Sequence, residues 1–218
     1  MVQFHSLKKI RFFKMDKGYR TRKESIRNEC KVFVIVCEGE TEQIYFNSYR
    51  KRRCNLIIKT PNSDVTDPVN LVKFAKTQIN KYDLDFSKGD EIYCVFDADG
   101  NTDNNISKAV KEAGKEVKVI FSNPSFEIWY LLHFLYATNR IDNKALINSL
   151  SKYISKYKKT VDFSQLLRDK KETAIKNAKK LNDYHKTKKN KLNSVSSNPS
   201  TQVFKLVEAI IKNRGCMD

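Results

Sequence analysis

The sequence predicts an α/β fold: a doubly wound parallel sheet of about four strands flanked by helices. Three observations predict it. Val32-Phe33-Val34-Ile35-Val36-Cys37 and Glu91-Ile92-Tyr93-Cys94-Val95-Phe96 are short runs rich in β-branched and aromatic residues, without polar alternation. That is the pattern of strands buried on both faces, as in the interior of a parallel sheet. Between and after these runs lie segments with apolar residues at helical spacing, so the chain alternates strand, helix, strand, helix, strand. Finally, each run ends abruptly in acids, Glu38-Gly39-Glu40-Thr41-Glu42 after the first and Asp97-Ala98-Asp99-Gly100 after the second. The carboxyl ends of such strands are where open α/β sheets bind ligands.

Taken in order, residues 1–30 form a basic N-terminal arm in which Lys8, Lys9, Arg11 and Lys14 are interleaved with Phe4, Phe12 and Phe13. That mixture suits phosphates and exposed bases, or an arm whose aromatic rings pack on the domain. The core is expected over 31–138. Its first strand is followed by a helix from Thr41 to about Cys54, closing on Arg50-Lys51-Arg52-Arg53, where positive charge complements the helix dipole. A second strand is expected over Asn55 to Lys59. Asp67-Pro68 then supplies an N-cap and a proline at the first helical position. After the Asp97 strand, Asn101, Asp103, Asn104 and Asn105 read as loop filler or a weak calcium-type loop, although the EF-hand spacing is not met. A short helix is expected over Ser107 to Ala113, stopped by Gly114, and a fourth strand over Val117 to Phe121.

Ser122-Asn123-Pro124-Ser125 recurs as Ser197-Asn198-Pro199-Ser200. Both are expected to cap helices, each with its proline at N1. The helix from Pro124 is apolar nearly all round, so it should be buried. Glu127 in its first turn then needs a role, either dipole stabilisation or a link to a metal or substrate. His133 reads as a hydrogen-bonded core residue. From Arg140 the composition turns lysine-rich, and residues 139–218 are expected to form a helical C-terminal region packed on the core, with Ser194-Val195-Ser196-Ser197 as a flexible link.

The 42 Lys and Arg against 25 Asp and Glu leave a formal charge of +17, which favours polyanionic partners, nucleic acid first. The five cysteines form no C-x-x-C pair, which argues against a disulfide framework or a structural zinc site and points to the cytoplasm. No apolar run reaches the ~20 residues of a spanning helix, so no membrane partner is expected. The N-terminus lacks the continuous apolar core of a signal peptide.

If the first and third strands are neighbours, Glu38 meets Asp97 and Asp99 at a topological switch point. Residues i and i+2 of a strand project to one side, which would aim Asp97 and Asp99 into one space. Three converging carboxylates repel unless a cation lies between them, and hard oxygen donors suit Mg²⁺ or Mn²⁺.

Cys37-Glu38-Gly39-Glu40-Thr41-Glu42, Phe96-Asp97-Ala98-Asp99, the block Ser122 to Phe134, and Asn198-Pro199-Ser200-Thr201 together resemble the RloB family of prokaryotic proteins. That family looks like a branch of the Toprim superfamily. The resemblance implies a Toprim-like fold, a divalent metal site on Glu38, Asp97 and Asp99, and a role in phage defence beside a partner ATPase. By similarity to OLD-type nucleases, Glu42 becomes a further metal ligand. No lysine or arginine matches a nuclease general acid.

The expected function is therefore a metal-dependent nuclease cleaving DNA or RNA, with Glu38, Asp97 and Asp99 catalytic and Glu42 and Glu127 assisting at the metal. A non-catalytic nucleic-acid-binding subunit of an ATPase-containing complex is the alternative. Nucleotidyl transfer, as in primases, would use the same metal chemistry.

Overall fold

The computed structural model describes residues 30–52 and 54–215. The basic arm expected over 1–30 lies almost wholly outside them. Five strands form one sheet in the order β2-β1-β3-β4-β5: β1 (Lys31–Cys37), β2 (Leu56–Lys59), β3 (Glu91–Asp97), β4 (Val117–Asn123) and β5 (Ser200–Thr201). The first four are mutually parallel and β5 pairs antiparallel with β4. The chain moves outward from β1 to β2, then returns past β1 to β3. The switch point therefore falls between β1 and β3, as the acidic turns require.

Strand alternation builds two cores. Phe33, Ile35, Tyr93, Val95 and Ile120 face one side, and Val32, Val34, Val36, Ile92, Cys94, Phe96 and Phe121 the other. The second face is covered by α2 (Pro68–Lys81) and α3 (Asp103–Ala113). The first is covered by α1 (Glu40–Asn47), α4 (Glu127–Leu131), α5 (Asn143–Leu150), α6 (Ser164–Leu167), α7 (Lys171–Thr187) and α8 (Val203–Arg214). Each fully buried large side chain contributes roughly 1.5–3 kcal/mol. The lysine-rich C-terminal stretch is thus held by its apolar stripes, including Leu146, Leu150, Leu181, Leu206 and Ile210.

Several elements differ from expectation. Helix α1 ends at Asn47 rather than near Cys54, and Arg50 instead turns back to donate to Ile58 O (3.1 Å) and Thr60 Oγ1 (3.1 Å). Asp103, Asn104 and Asn105 are the first turn of α3, capped by Thr102, whose hydroxyl accepts from the Asn105 N–H. Asp67 caps α2 as expected, accepting from the Asn70 N–H at 2.9 Å.

Neither Ser-Asn-Pro-Ser repeat caps a helix. Both Asn-Pro bonds are cis, α4 starts three residues after Pro124, and Ser200–Thr201 is β5. The repeats instead lie side by side, with Asn123 paired to Ser200 and the Asn198 Nδ2 donating to Asn123 Oδ1 at 2.9 Å. The expected flexible link is also tied down. Ser194 and Ser197 are buried, Asn123 Nδ2 donates to Ser194 O (2.9 Å), and the Val195 N–H donates to Asp103 Oδ1 (2.7 Å). Cys30, Cys37 and Cys94 are free thiols, whereas Cys54 is disulfide-bonded, contrary to the expectation drawn from the cysteine count. Among the described residues no helix is long and apolar enough to cross a membrane.

Candidate functional site

Parallel pairing of β1 with β3 sets Cys37 beside Val95, so the two strands expire at the same edge. The Glu38 N–H continues the ladder to Val95 O at 3.0 Å, and its carboxylate Oε2 accepts from the Asp97 N–H at 3.0 Å. The two acidic turns, 59 residues apart in sequence, therefore meet directly. Asp97 is the last residue of β3, and its Oδ2 accepts from the Phe126 N–H at 3.0 Å, just before α4. Its other oxygen, Oδ1, is buried with no hydrogen-bond partner. A bare carboxylate oxygen cut off from water is costly, and such an atom calls for a proton or a cation.

Two further acids complete the cluster. Glu42, in the first turn of α1, is 4 % exposed, and Glu127, the first residue of α4, is 2 % exposed. Glu42 reaches its position because residue 39 is glycine: a Cβ there would sit 2.7 Å from Glu42 Oε2. Glu127 Oε1 accepts from the Tyr157 hydroxyl at 2.9 Å and lies 3.7 Å from Lys159 Nζ. The strap carrying Tyr157 and Lys159 is pinned by Thr41, whose hydroxyl donates to Lys159 O at 3.1 Å.

The electrostatics follow from this crowding. Burial, then the charges of Glu42 and Glu38, hold the Asp97 carboxyl well above the usual range. Burial, followed by Glu127 and Glu38, pushes Glu42 up to about 7, with Lys159 opposing. Glu38 is raised by burial and by Asp99, against the hydrogen bond from Asp97 and the charge of Lys159.

Of the five acids singled out in the sequence, Glu38 and Asp97 are in direct contact, and Glu42 and Glu127 lie close enough to perturb Asp97. Asp99 stands apart. Strand β3 stops at Asp97, so Asp99 sits in an exposed turn rather than on the same strand face, and it borders a separate cavity of about 320 Å³ with Asn123 and Arg140. Tyr157 and Lys159 were not legible as site residues, because nothing in a run of C-terminal lysines says which one folds onto Glu127 and Thr41. Among the described residues, no three acidic, histidine or cysteine side chains are gathered into a ready metal cage. The donor chemistry nonetheless suits a hard divalent cation: all the donors are carboxylate oxygens, they repel one another, and one is orphaned.

A doubly wound, mostly parallel sheet with buried carboxylates at its switch point defines the class: an α/β protein with an acidic pocket at the carboxyl edge of its strands. Within that class, the family model for RloB-like protein matches residues 33–210, and the chain belongs to that family. No curated protein and no solved structure matches the chain.

Proposed function

We propose that the chain is a metal-dependent, Toprim-type nuclease acting on DNA or RNA phosphodiesters, in phage defence beside a partner ATPase. One observation carries the chemistry: Asp97 Oδ1, buried and unpartnered among Glu38, Glu42 and Glu127. Glu38, Glu42, Asp97 and Glu127 would hold the ion, with Asp99 adding its charge from the exposed turn beside Glu38. A bound Mg²⁺ or Mn²⁺ would neutralise these acids and polarise a phosphoryl oxygen. Lys159, whose side chain is 68 % exposed, keeps its ammonium at the rim of the cluster, where it can meet a substrate phosphate. The net charge of +17 supplies the electrostatic attraction for a polyanionic backbone.

The purified chain, alone and with its partner, is to be incubated with single-stranded DNA, duplex DNA and RNA in Mn²⁺, Mg²⁺ or chelator. Chelator-sensitive cutting is expected, and Glu38→Gln and Asp97→Asn should each reduce it by at least about a thousandfold while leaving the fold intact. Full activity in either variant would remove that residue from the site.

A second reading, a nucleic-acid-binding subunit without catalysis, is favoured by the lack of a ready metal cage among the described residues and by Lys159 already neutralising part of the cluster. Binding without cutting under all these conditions would select it.

A further inference from the structure

A second cavity lies beyond the C-terminal end of α1, the opposite end from Glu42. It encloses about 220 Å³, and its lining includes Tyr49, Lys51, His133, Arg168, Lys171 and Arg214. No carboxylate is among its described lining residues. None of the four cations forms an ion pair with a carboxylate among the described residues. Lys171 and Arg214 lie instead against the Tyr49 ring, at 4.8 and 5.9 Å from its centre. Burial, then the charges of Arg214, Arg168 and Lys51, hold the Lys171 ammonium below the usual lysine range. Converging like charges with no counter-ion among the described residues are as uneven here as the carboxylates are at the other site.

Two polar atoms of lining residues are buried without partners. His133 is 1 % exposed, and its Nδ1 lies 2.9 Å from Trp129 O. A carbonyl can only accept, so the ring proton sits on Nδ1 and Nε2 presents a bare lone pair. That Nε2 has no partner, and neither does the Arg214 Nε–H. Burial keeps the imidazole neutral, with its pKa pushed down to about 4. Both atoms are closed off from water-sized groups, so the four cations lining the cavity set what it can take.

A ligand that balances these charges carries anionic oxygens. We infer that this cavity binds a small phosphate-bearing ligand, either inorganic phosphate itself or a phosphate ester. The anionic oxygens face Lys51, Arg168, Lys171 and Arg214. The site is separate from the acidic cluster, since none of Glu38, Glu42, Asp97, Asp99 and Glu127 lines it.

Calorimetric titration of the full chain tests this. It is run in chelator, so that no cation at the acidic site carries phosphate, and at ionic strength held constant with chloride. The probes are inorganic phosphate, a nucleoside 5′-monophosphate and the unphosphorylated nucleoside. One equivalent of phosphate or of the monophosphate should bind, and the nucleoside should not; the tighter of the two identifies the source of the phosphate. Lys171→Met and Arg168→Met should each weaken binding about tenfold or more, as expected for loss of a charge-assisted hydrogen bond. Lys73→Met, exposed on α2 across the sheet, should leave it unchanged. Arg168 is exposed, so its variant carries the test even if Lys171→Met folds poorly. No saturable one-to-one binding of either probe, or equal weakening by Lys73→Met, would overturn the proposal.

Discussion

Glu42 shows how a single position can hold an unfavourable charge in place. Its carboxyl is buried over Gly39, and burial with its acidic neighbours pushes its pKa up to about 7. A carboxyl whose folded pKa lies above its unfolded value binds its proton more tightly in the native state. The associated stability is present below the unfolded pKa and is lost as pH rises through the folded one. In chelator, the chain should therefore lose stability relative to a Glu42→Gln variant between about pH 4.5 and 7. At roughly 1.4 kcal/mol per pH unit the loss is of order 3 kcal/mol. Denaturant melts of both proteins across that range check it, and parallel pH profiles would show that Glu42 does not titrate there. Millimolar Mn²⁺ at pH 8 should restore the stability if the acids hold an ion, because a ligand that binds only the folded state shifts the equilibrium by mass action.

Among the elements, the paired Ser-Asn-Pro-Ser segments are the junction between the sheet and the C-terminal region. Asn198 donates to Ile141 O and to Asn123 Oδ1, and accepts from the Ile141 N–H, all at 2.9 Å. It thereby fixes the approach to α5 and the antiparallel entry of β5 in one step. Asn198→Ala should destabilise the chain by about 2 kcal/mol, the cost of leaving partly buried partners unsatisfied. It should also increase amide exchange at Ile141. An unchanged melting midpoint would mean that β5 is held by its neighbours without Asn198. The duplicated tetrapeptide was conspicuous in the sequence, but its local chemistry fitted a helix cap equally well. Only the second copy, 75 residues away, gives Asn123 its partner.

At the scale of the described molecule, charge is unevenly distributed, although ion pairs such as Lys159–Glu127 and Lys179–Glu208 join the two signs. Carboxylates gather at the switch point, while lysines fill the outer faces of the C-terminal helices, where Lys176, Lys179 and Lys180 are part-exposed or exposed on α7. If this surface engages a nucleic-acid backbone, the affinity should fall linearly on a log–log plot against salt, with a slope of about −0.7 to −0.9 per phosphate neutralised. Contact with about six phosphates would weaken binding by about a thousandfold between 50 and 200 mM salt. A filter-binding series over that range measures it, and a flat response would show that the charge serves another purpose.

Local patterning alone specified β1 to β4, the burial of β1 and β3 on both faces and the acids at their ends, because hydrophobic runs and abrupt charge changes act within a few residues. It also determined that Glu38 and Asp97 would meet if β1 and β3 were neighbours. The tertiary structure decided what no short window could contain. It placed β5 against β4, brought Tyr157 and Lys159 over Glu127, left Asp99 in an exposed turn, and gathered Lys51, Arg168, Lys171 and Arg214 around His133. These are contacts between residues far apart in the chain. Each depends on how two buried faces pack, whereas local spacing records only which residues each face contains.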